Sequence, residues 1–386
     1  MLPSTLRPGL AILLSLLLPV VACKKDDTAA ELAQMKKEAV AQYAAIVLAS
    51  YEDSYQTALT LRQTIDDFVA APSEAGFNAC KNAWLAARNP YGQTEAYRFY
   101  GGPIDNETGP EGLINSWPLD EVYIDYVQGN PNAGIINKTA EFPTLDKALI
   151  ESLNQTGGDT EEQSEVNVAT GYHAIEFLLW GQDASSSGPG QRAYTDYTTA
   201  PNAARRGQYL KICATLLTDH LKTLVDAWQP GAAYREALLT GDANEAINKI
   251  FTGLGSLSKG ELAGERMFVA VDSQDQENEH SCFSDNTNAD ILMNFKGIQN
   301  VYNGTYTRSN GTKISGRSFA EVAAMVNSTK NNAVVAALSD AEGKLALIPS
   351  PFDQAILNNP GLILSASESL KNLSDRIADI QFDLVR

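Results

Sequence analysis

The sequence predicts an all-α protein, and three observations predict it. Apolar residues recur at three- and four-residue steps over long stretches, strand-like alternation is scarce, and turn residues cluster between the periodic stretches. With 386 residues, 44% of them hydrophobic and 20% charged, the chain can form two compact lobes with real cores.

The first periodic stretch puts Val47, Tyr51, Ala58, Leu61, Ile65 and Phe68 on one helix face, with Ser54 filling the remaining position. Pro72-Ser73 stops that helix, and Ser73 is suited to cap the next. Phe77, Cys80, Trp84 and Ala87 form the next stripe. Pro90 is expected to interrupt it, since proline lacks an amide and crowds the preceding turn. Tyr209, Ile212, Leu216, Leu224 and Trp228 mark another helix, and Leu370, Leu373, Ile377, Ile380 and Leu384 the last. Ser318-Phe319-Ala320-Glu321 has the form of a capping box ahead of a further helix. The best strand signal runs from Val301 to Ile314, where Asn303-Gly304 and Asn310-Gly311 could each turn a short hairpin. It reads as a long loop with little sheet. Antiparallel helices joined by modest loops pack as bundles. The stretch from Gly188 to Pro201 is the expected boundary between two helical halves, about 41–190 and 200–386.

The N-terminus reads as an address. Arg7 precedes an apolar stretch from Gly9 to Val21, shorter than the ~20 residues of a spanning helix. It ends Val20-Val21-Ala22-Cys23, which resembles a bacterial lipobox with Cys23 as the lipidated residue. Residues 1–22 are then a signal peptide, 23–40 a lipid-anchored tether and 41–386 the folded domain. The expected location is the outer membrane, on its periplasmic or cell-surface face, with the membrane engaged through the lipid. Lys24-Lys25-Asp26-Asp27 resembles a surface-export tag; the plainer reading is a solvated tether. A formal net charge of −18 repels phosphate backbones, so nucleic acid is excluded as a partner. Cys80, Cys213 and Cys282 are odd in number and far apart, so they form no disulfide framework.

Gly171-Tyr172-His173-Ala174-Ile175-Glu176 is the sharpest feature. His173 and Glu176 share a helix face, beside the apolar stripe of Val168, Tyr172, Ile175 and Leu179, so they are expected at the border of the core. An imidazole and a carboxylate can bind a transition metal together; they can equally form a hydrogen-bonded pair at a helix interface. A second cluster holds Asp272, Asp275, Glu277, Glu279 and His280. Glu277 and His280 have the Glu-x-x-His spacing of di-metal bundles, although a full set needs a second copy, and His173 to Glu176 is reversed. The plain alternative is an acidic, solvated loop. A third stretch contains Arg88, Tyr91, Gln93, Glu95 and Arg98, whose arginines can pair with the acidic clusters or hold an anionic substrate. His220, between Leu216 and Leu224, reads as a partly buried structural histidine. The chain has no H-E-x-x-H, no G-x-S-x-G, no Walker loop and no Rossmann glycine set.

The Gly-Tyr-His-Ala-Ile-Glu run, continued by Phe177-Leu178-Leu179-Trp180-Gly181, resembles the G-x-H-x-x-E signature of the imelysin family. Trp84 to Phe99, Gly102 to Asp105, Gly264 to Met267, Glu279 to Thr287 and Asn300 to Gly304 resemble its other blocks in the usual order. The resemblance covers most of the chain from about Tyr43, with no departure in the signature. It implies two similar four-helix bundles packed together with a site between them. It also implies a role in iron uptake alongside other envelope proteins, and it brings a metallopeptidase label from an insulin-cleaving founder. By position it carries the key pair onto His173 and Glu176 as metal ligands; the residues' own chemistry and spacing add Glu95, Glu277 and His280 as further candidate ligands. Arg98, Glu265, Arg266, Asp285 and Asn286 become binding neighbours. Three readings follow. The first is a non-catalytic lipoprotein that binds iron or another divalent metal. The second is a metallopeptidase with His173 and Glu176 as ligands. The third is a surface module that binds an iron carrier or a protein.

Overall fold

A computed structural model describes the backbone of residues 22–185 and 188–386, with side chains from residue 28 onward. The expected signal up to Val21 and the side chain of Cys23 lie outside the described residues, as do Ser186 and Ser187. In chain order the helices begin with α1 (Ala22–Ala70) and α2 (Glu74–Thr94). Five short ones follow: α3 (Glu111–Ile114), α4 (Glu121–Ile124), α5 (Gly134–Asn137), α6 (Lys147–Leu153) and α7 (Glu161–Glu165). Then come α8 (Gly171–Trp180), α9 (Ala203–Trp228), α10 (Ala233–Thr240) and α11 (Ala243–Ser256). The last runs without a break into a π-helix (Leu257–Phe268) and α12 (Val269–Ser273). After α13 (Thr287–Asn303) come the strands β1 (Thr305–Thr307) and β2 (Lys313–Ser315). The chain ends in α14 (Phe319–Leu345), α15 (Phe352–Asn358) and α16 (Pro360–Leu384). The fold is all-α, as the periodicity predicts.

Helices α1, α2, α8 and α9 pack on one another, and α11, the π-helix, α14 and α16 form a second group. Helix α13 lies on α2 and on α14, and α1 reaches α11 and α14 as well, so one hydrophobic core runs through both groups. The stripe Val47, Tyr51, Ala58, Leu61, Ile65 and Phe68 is buried. Ser54 sits among these residues because its hydroxyl donates to the Ser50 carbonyl at 2.8 Å. Ser73 caps α2 by accepting from the Gly76 amide at 3.1 Å. The Ser318–Glu321 capping box forms in both directions. No helix among the described residues is long and apolar enough to cross a membrane.

Two local expectations are corrected. Pro90 does not stop α2, which continues to Thr94. Pro90, Tyr91 and Gly92 are buried, and Asn294 on α13 donates to the Gly92 carbonyl at 2.9 Å, so tertiary contacts hold the turn after the proline. The crossing of α2 and α13 is tight: a Cβ at Gly297 would stand 2.4 Å from the Gln93 carbonyl oxygen. Asn303-Gly304 turns no hairpin. Helix α13 runs to Asn303 and Gly304 ends it with φ +64°, the left-handed cap that glycine adopts freely. The one described hairpin pairs Thr305 with Ser315 around Asn310-Gly311.

The π-helix matters for the site. Its wider turn brings residues five apart into register, and Arg266 Nη2 lies 3.4 Å from Glu261 Oε2. Arg266 is buried while Glu265 stays exposed.

Candidate functional site

The site is built from one buried helix, one crossing helix and one irregular loop. Helix α8 starts at Gly171 with φ +91°, where a Cβ would stand 2.6 Å from the Ile114 carbonyl oxygen; glycine alone lets the helix begin against α3. Trp84 Nε1 on α2 donates to the Tyr172 carbonyl at 2.9 Å. All ten residues of α8 are buried. His173 and Glu176 are therefore inside the core, not at its border. A helix that is apolar around most of its circumference is enclosed on all sides.

His173 Nδ1 lies 2.9 Å from Glu176 Oε2, one turn along. The other Glu176 oxygen accepts from the Ser284 amide at 3.0 Å and its hydroxyl at 2.6 Å. Burial pushes the Glu176 carboxyl up to about 8 despite those bonds. Burial, with the Arg88 charge nearby, holds His173 well below the ordinary histidine range.

The Glu279–Thr287 segment brings His280 against this pair. The rings of His173 and His280 meet edge to face, with centroids 4.8 Å apart. His280 Nδ1 is 2.9 Å from Asp290 Oδ2 on α13. Asp290 also accepts from Arg88 Nε at 3.1 Å and Nη2 at 2.9 Å, from Ser281 Oγ at 2.5 Å and from Asn286 Nδ2 at 3.1 Å. Burial alone would raise this carboxyl, but Arg88 and His280 outweigh it and hold Asp290 well below the carboxylate range. An ionised carboxylate can only accept, so His280 Nδ1 carries the proton and Nε2 is a bare lone pair. Imidazoles that serve as metal ligands are commonly oriented this way, by a carboxylate on the other nitrogen.

Glu95, on the single turn after α2, is fully buried. Its Oε2 accepts from Arg98 Nη1 at 2.7 Å and Arg266 Nη2 at 2.9 Å, while Oε1 has no partner. Burial opposes its charge, yet the two guanidinium groups keep it ionised far below the usual range. Arg266 also donates to Asn294, and Arg98 pairs with Glu111 at 3.1 Å. Above these groups opens a cavity of about 440 Å³ whose walls include Arg98, Asn115, Trp117, Glu265, Arg266 and His280.

Other expected residues lie apart. Glu277 is exposed on the turn Gln276–Asn278, and the chain straightens at Glu279, so the Glu-x-x-His spacing does not converge with His280. Asp272 and Asp275 are solvated. Glu279 is buried, and burial pushes it up to about 9. Asp285, with φ +57°, faces the charges of Asp353 and Asp183; burial and those two raise it to about 7. His220 is mostly buried, with Glu151 at 3.7 Å. Among the described residues no group of three or more His, Cys, Asp or Glu could by itself hold a metal ion. Asp290, Asn115, Ser284 and Trp117 escape the reading of the sequence. One signal for Asp290 was available: Thr287, Asp290 and Asn294 make a buried polar row at helical spacing on α13.

A family model described as Peptidase_M75: Imelysin matches residues 47–378. Iron-regulated protein A of Synechococcus elongatus is 30% identical over 278 residues, which cover 69% of this chain and 63% of that protein. The match thus spans a little under two thirds of that relative's length. A crystal structure at 2.30 Å of a candidate iron-regulated protein A precursor from Parabacteroides distasonis has the same fold. The TM-score is 0.71 at 19% identity, covering 91% of this chain and 95% of that one.

Proposed function

The chain belongs to the imelysin family, and from that premise we propose that it is a non-catalytic envelope lipoprotein that binds metal, iron first, in uptake or homeostasis. The observation that carries this reading is the meeting of His173 with His280. His280 Nδ1 is tied to the Asp290 carboxylate and His173 Nδ1 to the neutral Glu176 carboxyl; His173 Nε2 is buried without a partner, and His280 Nε2 carries no proton. Imidazole nitrogen with carboxylate oxygen suits iron better than thiolate-seeking ions. The iron-regulated names of the two relatives agree with that choice. Anchoring would come through Cys23, and a Cys23→Ala variant should leave the membrane fraction.

Calorimetric titration of the protein without its lipid tests the reading, using ferrous and zinc ions. Wild type should bind, with ferrous ion preferred, and His173→Ala with His280→Ala should abolish binding. A wild type that takes up neither ion, or a double variant that binds equally well, overturns it. The peptidase reading stands second. It requires His173 and Glu176 as ligands of one zinc, with a third ligand and a separate base. Unfolded protein substrates should stay intact in the metal-loaded sample.

A further inference from the structure

The cavity beside the histidine pair is built for more than a bare ion. The protein's own side chains do not complete a coordination shell, since no group of three His, Cys, Asp or Glu among the described residues could hold a metal. First-row ions take roughly four to six donors, so the remainder must arrive with the ion or as water. The walls also carry two buried hydrogen-bond donors with nothing to donate to. Asn115 is one. Its Oδ1 accepts from Arg88 Nη1 at 2.5 Å, which fixes the orientation of the amide, and its Nδ2 is buried and unpartnered. Arg98 is the other. It spends Nη1 on Glu95 and Nη2 on Glu111, and its Nε has no partner. Both residues line the same cavity as His280. Buried donors are kept unpaired at a cost, and a ligand acceptor removes that cost once a small side-chain shift opens the two nitrogens, which water does not reach in the unliganded fold.

Size and charge narrow the ligand. The cavity of about 440 Å³ far exceeds one ion, given that a water takes ~30 Å³ of liquid. Glu162, Glu165 and Glu265 also line it, without an ion pair to any of them among the described residues. Such walls repel a free polyanion and accept one whose charge a cation has neutralised.

We propose that the cavity takes iron as the chelate of a small hydroxy-polycarboxylate, with the ion toward His280 Nε2 and the chelator's carboxylate oxygens on Asn115 Nδ2 and Arg98 Nε. This rests on the metal-binding reading above and names the form in which the ion arrives. The charged acceptor makes each of the two contacts worth about ten- to a hundredfold in affinity.

The test uses ferric citrate, citrate alone and ferrous ion as probes, read by calorimetry and by the fluorescence of Trp117 in the cavity wall. Asn115→Asp keeps the acceptor for Arg88 and replaces the free donor with a repelling oxygen. Arg98→Lys removes Nε and keeps the charge, so a fold defect in either variant leaves the other to decide. Unfolding midpoints check that both are native. Ferric citrate should bind at least tenfold tighter than citrate alone and tighter than ferrous ion. Each variant should lose about tenfold or more on the chelate, and should lose more on the chelate than on ferrous ion. Ferrous binding with no preference for the chelate, or wild-type chelate affinity in both variants, overturns this proposal and leaves the metal-binding reading standing. Failure of ferrous ion and chelate alike takes both down.

Discussion

Replacing Arg88 by Met would test whether the buried ion pair holds the site together. Arg88 and Asp290 are each 1% exposed, and two hydrogen bonds of 3.1 and 2.9 Å join them. Arg88 also holds the Asn115 amide, so one side chain connects α2, α13 and the segment after α3. Methionine fills much of the volume but leaves Asp290 charged and buried. Removing one partner of such a pair costs about 3–5 kcal/mol at pH 7, less whatever His280, Ser281 and Asn286 recover as remaining donors. The pH dependence follows from the depressed Asp290 carboxyl, whose unfolded value is 3.8. Stability from a depressed carboxyl is fully present above the unfolded value and fades as pH falls through the folded one. Burial without Arg88 raises this carboxyl in the variant, so the gap between wild type and variant should be widest near pH 7 and shrink as pH falls toward 3. Urea unfolding across that range measures it. Adding Asp290→Asn should return about 2 kcal/mol of the loss, because the double variant buries no orphan charge. A loss under about 1 kcal/mol at pH 7, or one that is the same at pH 3, would refute the argument.

Two further outcomes can be checked alongside. Glu176→Gln removes a carboxyl that the fold holds at about 8, against 4.5 when unfolded. Ionising it penalises the folded state, so wild type should lose ground to the variant as pH rises from 5 to 8, by on the order of a few kcal/mol. A difference that stays flat with pH would show that Glu176 is already ionised in the fold. Gly171→Ala forces a side chain into a φ of +91° and against the Ile114 carbonyl. It should cost at least about 2 kcal/mol in a thermal or urea midpoint, and a neutral result would mean α8 can start elsewhere.

The helices were readable because burial on one face imposes a 3.6-residue period, and that period does not depend on what the face meets. The stripe of α1, the Ser73 cap and the Ser318 capping box are local, and they stand in the structure as the sequence predicts. Where a local rule met a tertiary contact, the contact won. Pro90 sits inside α2 because α13 supports the turn that follows, and Gly304 serves as a cap where a hairpin was expected.

For the site, the sequence by itself determined the pair that one helical turn brings together, His173 and Glu176, and the family whose signature contains them. Spacing of three on a helix is enough for that. It could not determine what stands opposite. His280 reaches His173 across more than a hundred residues because an irregular loop folds back onto α8, and no periodicity encodes that path. Asp290 looks like an ordinary helix residue until Arg88, His280, Ser281 and Asn286 all donate to it. The protonation of the site was equally hidden. Glu95 and Glu176 are the same residue type, and the tertiary structure sends one far down and the other up to about 8. The reason is physical: both lose water on burial, but only Glu95 receives two guanidinium groups in return.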